Sequence, residues 1–311
     1  MTALVEIDRL TKRFSFITAV NEISFRVDKG EVLGFLGPNG AGKSTTMKMI
    51  SGFLAPDAGT VRVAGMDIAD QPVAIKKRIG YLPEGAPLYP DMTPAGFLRF
   101  VGAIRGFSGE ALSKCIRDTV DKVNLESVVE QPIGTLSKGY KRRVGIAQAI
   151  LHDPEVLILD EPTDGLDPNQ KHEVRTLIQE MARDKAIILS THILEEVDAV
   201  CSRAIIVSGG NIVADGTPSE LEAKSPYHNA VTLLVRDVSP AEIQKYLANL
   251  SGVSSAECVE QEGKVHCTVY PENHCPILAM VSGAAREQAW KLEEIYVQRG
   301  RLEDVFRSFT T

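Results

Sequence analysis

At 311 residues, with 44% apolar and 24% charged residues, the chain has ordinary globular composition and room for one large domain plus a small one, or two of medium size. A net charge of −7 supplies no general attraction to nucleic acid or to an anionic lipid surface, and no apolar run approaches the roughly 20 residues of a membrane-spanning helix. The opening Met-Thr-Ala-Leu-Val-Glu lacks the basic and apolar regions of a signal peptide, and five cysteines without framework spacing suit reduced thiols, so a cytosolic protein is expected, its membrane role, if any, coming through a partner.

Residues 4–9 and 23–27 alternate apolar with polar positions, as half-buried strands do. Between them, Thr11-Lys12-Arg13-Phe14-Ser15-Phe16 holds two phenylalanines, either of which could stack on a base or pack into the core. The stretch from Val32 to Thr46 then joins an apolar strand to a glycine-rich turn and a helix, and Gly37, Gly42, Lys43 and Ser44 satisfy G-x-x-x-x-G-K-[ST]. Glycine lets the backbone take positive φ and approach an anion with no Cβ in the way. Pro38, Asn39, Gly40 and Ala41 complete the loop, and the N–H groups from Gly40 to Thr45 are expected to line a concave nest at the positive end of the helix. Lys43 would reach the β- and γ-phosphates of a nucleoside triphosphate, and the Ser44 hydroxyl would complete the shell of a Mg²⁺.

Further along, a turn at Asp57-Ala58-Gly59-Thr60 leads into a strand at 61–63, a short helix closes at 76–78, and 79–82 is an apolar strand. Residues 93–135 read as helical with loops, Pro94 suiting a helix start and 111–123 carrying helical apolar spacing. Another helix opens at Leu136-Ser137-Lys138-Gly139 and runs to about 152. The continuous apolar run at 156–159 fits a strand covered on both faces, followed by a helix at 168–183, a strand at 186–189, a helix at 195–200 and a hairpin across Gly209-Gly210. Strands alternating with helices predict an α/β domain with a mainly parallel core sheet over residues 1–224. Beyond Lys224-Ser225-Pro226-Tyr227 the order becomes β-α-β-β-α-β with a final short helix, predicting a small α+β ferredoxin-like domain over 225–311.

The run at 156–159 ends on Asp160-Glu161. Side chains alternate along a strand, so these carboxylates face different ways: one can hold Mg²⁺, and the other can orient an attacking water at the γ-phosphate. With both stretches in place, residues 1 to about 220 resemble the ATP-binding subunits of ABC transporters. Gly37 to Thr45 matches Walker A, and Val156 to Glu161 matches Walker B. Leu136-Ser137-Lys138-Gly139-Tyr140 falls at the signature, Asp164-Gly165-Leu166-Asp167 at the D-loop, and Ser190-Thr191-His192 at the switch histidine. Ile79-Gly80-Tyr81-Leu82-Pro83-Glu84, Leu-Ser-Lys-Gly-Tyr and the ending Leu302-Glu303-Asp304-Val305-Phe306 are similar to the ABC-2 exporter branch, closest to ATPases named for gliding motility.

The resemblance implies a P-loop ATPase domain with an antiparallel subdomain and a helical subdomain at about 85–152, using ATP and Mg²⁺. It implies catalytic roles for Lys43, Glu161 and His192, metal ligation by Ser44, Asp160 and Glu84, and adenine stacking by Phe14. Ser137, Gly139 and Asp167 would serve ATP held on the opposite subunit of a head-to-tail dimer, whether a second copy or a homologous ATPase. It also implies a permease docked between Gly85 and Arg105, on the cytoplasmic face of the inner membrane, with no nucleic acid expected. Two motifs depart from the family pattern: Glu84 stands for the usual Q-loop glutamine, and Lys138 with Tyr140 replaces the signature's second glycine and glutamine. The rival reading is an ABC-type ATPase acting on nucleic acid or the ribosome without a permease. Residues 46–135 show no sustained heptads and only one P-loop occurs, which argues against the coiled-coil and tandem-cassette kinds. In the C-terminal region Cys258, His266, Cys267, His274 and Cys275 include soft donors, but no C-x-x-C appears, and a dimerising or regulatory role is the expectation there.

Overall fold

The strands Val32–Leu36 (β3), Val156–Asp160 (β7) and Ala186–Thr191 (β8) are buried at every position, as strands covered on both faces must be. The computed structural model describes residues 3–261 and 263–310. It divides into two units, Met1–Thr217 and Pro218–Thr311. The division falls seven residues before the position expected from the sequence, because a helical turn at Pro218–Glu222 groups with the second unit.

In the first unit, Ala3–Phe14 (β1) and Ile17–Asp28 (β2) form an antiparallel hairpin, completed by Ala58–Val63 (β4) and Met66–Asp67 (β5) in the order β2-β1-β4-β5. Residues 11–14, read from sequence as lying between strands, continue β1 to the hairpin tip. The second sheet adds Ile79–Leu82 (β6), Arg203–Ser208 (β9) and Asn211–Gly216 (β10) in the order β10-β9-β3-β8-β7-β6. Its pairings are parallel except for the β9–β10 hairpin. Helices Lys43–Ile50 (α1), Pro72–Arg78 (α2), Pro94–Ile104 (α3), Gly109–Lys122 (α4), Lys138–Ile150 (α5), Pro168–Met181 (α6) and Leu194–Val200 (α7) complete the unit. One core joins the two sheets: Val5, Phe25 and Val61 pack in the same cluster as Phe35, Ile158 and Ile188. Each such side chain contributes about 1.5–3 kcal/mol by leaving water.

The second unit contains Pro218–Glu222 (α8), Val231–Arg236 (β11), Pro240–Ala248 (α9), Val253–Gln261 (β12), Lys264–Pro271 (β13), Leu278–Glu287 (α10), Lys291–Val297 (β14) and Leu302–Thr310 (α11). Its sheet runs β12-β13-β11-β14, antiparallel throughout, the arrangement of the ferredoxin-like βαββαβ unit. Val231, Leu233 and Val235 alternate onto the covered face against Ile243, Leu247 and Val281. Cys258 and Cys267 face each other across β12 and β13 and form a disulfide, so the expectation of reduced thiols fails at this pair. The strand register brings them together, and a spacing of nine residues gives no hint of it.

His152, just past α5, is a buried group whose ionisation opposes folding. Its Nε2–H donates to the Ile79 carbonyl (3.1 Å), while Nδ1 is buried without a partner among the described residues. Burial first, then the Arg105 charge, pulls the imidazole from its ordinary 6.5 down to about 4, against the Ile79 hydrogen bond and Asp153. The unfolded chain therefore takes up this proton before the folded one. The stability His152 contributes is complete above about pH 6.5 and is lost as pH falls toward about 4. Urea unfolding at stepped pH should show the parent losing stability relative to His152→Gln across that window. Parallel curves for the two proteins would refute the assignment.

Candidate functional site

Four loops leave the carboxyl ends of adjacent parallel strands. The glycine-rich turn follows β3, the His192 segment follows β8, Glu161 follows β7 and Glu84 lies just beyond β6. Ligand clefts in open α/β sheets form at such strand ends. Here they enclose a cleft of about 280 Å³ lined by Ala19, Pro38, Asn39, Gly40, Gly42, Lys43, Ser44, Thr45, Glu84 and Glu161.

The turn takes its shape from glycine. Gly40 and Gly42 have φ of +82° and +105°, and a Cβ on Gly42 would collide with the Ala19 carbonyl oxygen. A Cβ on Gly37 would come within 2.5 Å of the Val207 carbonyl oxygen. Ala41 is buried and turns its N–H to Pro38 O (3.2 Å), so it leaves the nest expected from the sequence, while α1 offers its first N–H groups at Lys43, Ser44 and Thr45. Lys43 is buried and donates to the carbonyls of Gly37 (2.7 Å) and Pro38 (3.2 Å), with Glu161 Oε1 3.9 Å away. Burial pulls its ammonium below the ordinary lysine range, opposed by the charges of Glu161, Asp160 and Glu84.

The carboxylates are held with equal care. Ser44 Oγ donates to Asp160 Oδ1 (3.3 Å), and the Ser190 hydroxyl donates to the same oxygen. Glu161 sits at φ +50°, a region that costs a non-glycine residue about 1–3 kcal/mol. Its N–H is fixed by Ser190 O (3.1 Å) and Ser190 Oγ (3.2 Å). His192 Nδ1 donates to Glu161 Oε2 (2.9 Å), the carboxylate being the acceptor. Lys43, Ser44, Glu84, Asp160, Glu161 and His192 are thus gathered in one place.

The remaining predicted residues lie elsewhere on the chain. Phe14, at the end of β1, is 46% exposed, with the Lys12 ammonium 5.6 Å from its ring centroid, and it does not line the cleft. Ser137 caps α5 by accepting from Tyr140 N (3.3 Å). Asp167 caps α6 by accepting from Gln170 N (2.9 Å), and Gly139 packs so closely that a Cβ would fall 2.5 Å from the Gln170 amide. Gly139 and Asp167 therefore meet at Gln170, and Ser137 caps the helix that carries Gly139, all three outside the cleft lining.

Three functional neighbours escaped the sequence reading. Ser190 bridges Asp160 and Glu161, as described. Arg142 is buried, and its guanidinium donates to Pro162 O (2.9 Å), Glu84 O (2.9 Å) and Asp160 O (3.4 Å), pinning the segments on both sides of Glu161 to α5. Its spacing from Ile146 and Ala149, four and seven residues on, places it on the apolar face of α5, which was the available signal. Glu196 is the third, on the buried side of α7 with Val200.

The donor set suits a magnesium triphosphate. Ser44 and Asp160 offer hard oxygens, the choice of Mg²⁺, which commonly takes few protein ligands and completes its shell with water and phosphate. Asp160, Glu161 and Glu84 surround the single ammonium of Lys43, so a polyanion enters favourably only with a divalent cation beside it.

The chain is similar to known proteins in sequence and in fold. Residues 20–164 match the family model described as ABC transporter. The linearmycin resistance ATP-binding protein LnrL of Bacillus subtilis is 32% identical over 308 residues, 99% of this chain and 98% of its own. The Nod factor export ATP-binding protein I of Paraburkholderia xenovorans is 39% identical over 222 residues, 71% of this chain and 73% of its own. Among solved structures, an ATP-binding subunit of an ABC transporter superposes with a TM-score of 0.64 at 32% identity, covering 70% of this chain and 92% of its own. A second, cbiO1 of Clostridium perfringens, described as part of the ABC transporter complex cbiONQ, gives 0.65 at 28% identity over 72% and 92%.

The cradle makes a direct prediction. Gly42→Ala forces a Cβ into the Ala19 carbonyl at a φ that alanine resists, and should weaken ATP binding on the order of 100-fold. Fluorescent-nucleotide titration with Mg²⁺ measures it, with a circular-dichroism melt to report the fold. Parental affinity in a folded variant would refute the cradle.

Proposed function

This chain belongs to the ABC transporter ATP-binding family, and we propose that it powers an ABC-2 type exporter, closing with a second copy of itself over two ATP molecules. The names of its relatives support export, since they are described for Nod factor export and linearmycin resistance. What carries the dimer is the division of the candidate site. The P-loop, Glu84 and Glu161 line one cleft, with Asp160 bonded to Ser44 and His192 bonded to Glu161 at its edge, while Ser137 and Gly139, at the start of α5, lie outside its lining and pack instead on Tyr140 N and the Gln170 amide. A helix N-terminus with a small hydroxyl and a glycine suits an anion, and this one lies apart from the cleft that the P-loop of the same chain lines. In the closed pair it contacts the γ-phosphate held by the other copy, with Asp167 alongside and Phe14 stacked on adenine.

In the reaction, Lys43 leaves the Gly37 and Pro38 carbonyls for the β- and γ-phosphate oxygens. Mg²⁺, when held by Ser44, Asp160 and Glu84, supplies charge neutralisation for the phosphates. Glu161 orients a water toward the γ-phosphorus and takes up its proton as the new oxygen–phosphorus bond forms. The bond from the γ-phosphorus to the bridging oxygen breaks, and its electron pair leaves with ADP. His192 holds Glu161 through Nδ1, which leaves its other ring nitrogen for the γ-phosphate. Loss of that phosphate removes the group both copies share, and the pair reopens.

The permease docks along the stretch that begins at Gly85 and ends at Arg105. In its support, a groove of about 420 Å³ is lined by Glu84, Ala86, Leu88, Pro90, Ile133 and Gly134, among others, and Tyr89, Phe100 and Ile104 are exposed on this stretch. Glu84 lines this groove and the ATP cleft alike, so a push at one is felt at the other. Among the described residues no helix is long and apolar enough to cross a membrane, and we place the subunit on the cytoplasmic face of the inner membrane through that partner. The second unit is an accessory domain of this subunit, and no nucleic acid is involved.

Glu161→Gln removes the group that receives the proton while keeping its shape. The variant should stop turning over and accumulate as a dimer with ATP and Mg²⁺, seen as a doubled mass by size exclusion with light scattering. A persistent monomer at saturating ATP would refute the two-copy cycle.

A further inference from the structure

Two threonine hydroxyls, one from the loop after β7 and one from the last residue of β8, converge on one buried carboxylate. Thr163 Oγ1 donates to Glu196 Oε1, and Thr191 Oγ1 donates to Glu196 Oε2 (2.7 Å). Thr191 Oγ1 in turn accepts from Ile193 N (3.0 Å), which ties the same hydroxyl to the start of α7. All three side chains lie below 3% exposure, so water does not substitute for these bonds. Thr163 stands two residues beyond Glu161, and Thr191 immediately precedes His192. One carboxylate thereby links the two loops whose tips carry the 2.9 Å His192–Glu161 hydrogen bond.

A carboxylate buried to this extent is expensive to keep, and burial raises the Glu196 pKa. Lys171 and Arg175 of α6 face it with favourable charge, and Glu161 faces it with opposing charge. Simple cohesion between two loops needs no such group, since an apolar side chain of similar size would fill the space at less cost. What the carboxylate supplies is direction: two acceptor oxygens at a fixed spacing, each receiving one hydroxyl.

We propose that Glu196 is a positioning residue for ATP hydrolysis, holding the Glu161 loop and the His192 loop in register through Thr163 and Thr191. This rests on the reading above, in which Glu161 and His192 carry the chemistry. Glu196 touches no substrate. Its loss slackens the geometry of the attacking water while the phosphate cradle of Gly37 to Thr45, on the other side of the cleft, stays as it is.

The test is steady-state ATPase kinetics on the full chain, with nucleotide affinity and thermal unfolding measured on the same preparations. Thr163→Val and Thr191→Val keep shape and remove the hydroxyls, and each should lower kcat about tenfold or more with KM for ATP within about twofold of the parent. Thr163→Ser and Thr191→Ser restore a hydroxyl and should recover most of that kcat. Glu196→Gln should behave like the valine variants, its amide offering one acceptor where two are used. The proposal is overturned if the valine variants keep parental kcat. It is equally overturned if kcat and affinity fall together with the melting temperature and serine does no better than valine. Glu161→Gln and His192→Ala run beside these variants. Parental turnover in both would sink the underlying site reading, whereas their loss of turnover with intact Thr and Glu196 variants would sink only the positioning role.

Discussion

The constraint on which the rest depends is the strand order β3-β8-β7-β6. Because these strands are parallel and adjacent, their carboxyl ends lie in a row, about 4.8 Å from one to the next. Lys43, His192, Glu161 and Glu84 are far apart in the chain and become neighbours only through that order. The strands hold it by being apolar on both faces. β3 and the five positions 156–160 have no solvent-facing position, so a slip of one residue would gain nothing and would displace the loops they carry.

A cleft built this way concentrates charge. Asp160 ends β7 and Glu161 follows it, Glu84 joins from just beyond β6, and Lys43 stands among them, drawn below its ordinary pKa by burial. The groups of the cleft satisfy one another: Lys43 rests on two carbonyls, Asp160 takes the hydroxyls of Ser44 and Ser190, and Glu161 takes His192. Each of these bonds is one that a magnesium triphosphate could exchange for its own. The strained φ of Glu161 fits the same logic, because its N–H is clamped by Ser190 while its side chain is aimed. The site is preorganised for anion and cation together.

Much of this was legible in the sequence, and the boundary of legibility is physical. Gly37, Gly42, Lys43 and Ser44 could be read because the loop they form is local, its geometry set by glycine and by the helix that follows. The buried strands could be read from unbroken apolar runs. Arg142, Glu196 and Ser190 could not be placed, since their partners Glu84, Thr163 and Asp160 come from other segments and only the tertiary fold brings them together. The Cys258–Cys267 disulfide escaped for the same reason, being a matter of register between β12 and β13. Phe14 shows the opposite case. The residue was found, but whether its ring meets a base depends on what enters beside it, and on this chain its ring lies near Lys12 instead.

The starts of α5 and α6, with Ser137, Gly139 and Asp167, are tied into the same site. α5 begins at Lys138 with Ser137 as its cap, and from its first turns Arg142 reaches back to Glu84, Asp160 and Pro162 with one guanidinium. The helix that would meet a neighbouring copy's phosphate is therefore bonded to the strand ends that hold this copy's own carboxylates. Glu84, on the same guanidinium through its carbonyl, also lines the groove beside residues 86–90. A rigid helix, a buried arginine and one glutamate thus connect three surfaces: the cleft, the helix start and the groove. Such a chain of contacts lets the filling of one bias the others, provided each contact keeps the partner it has here.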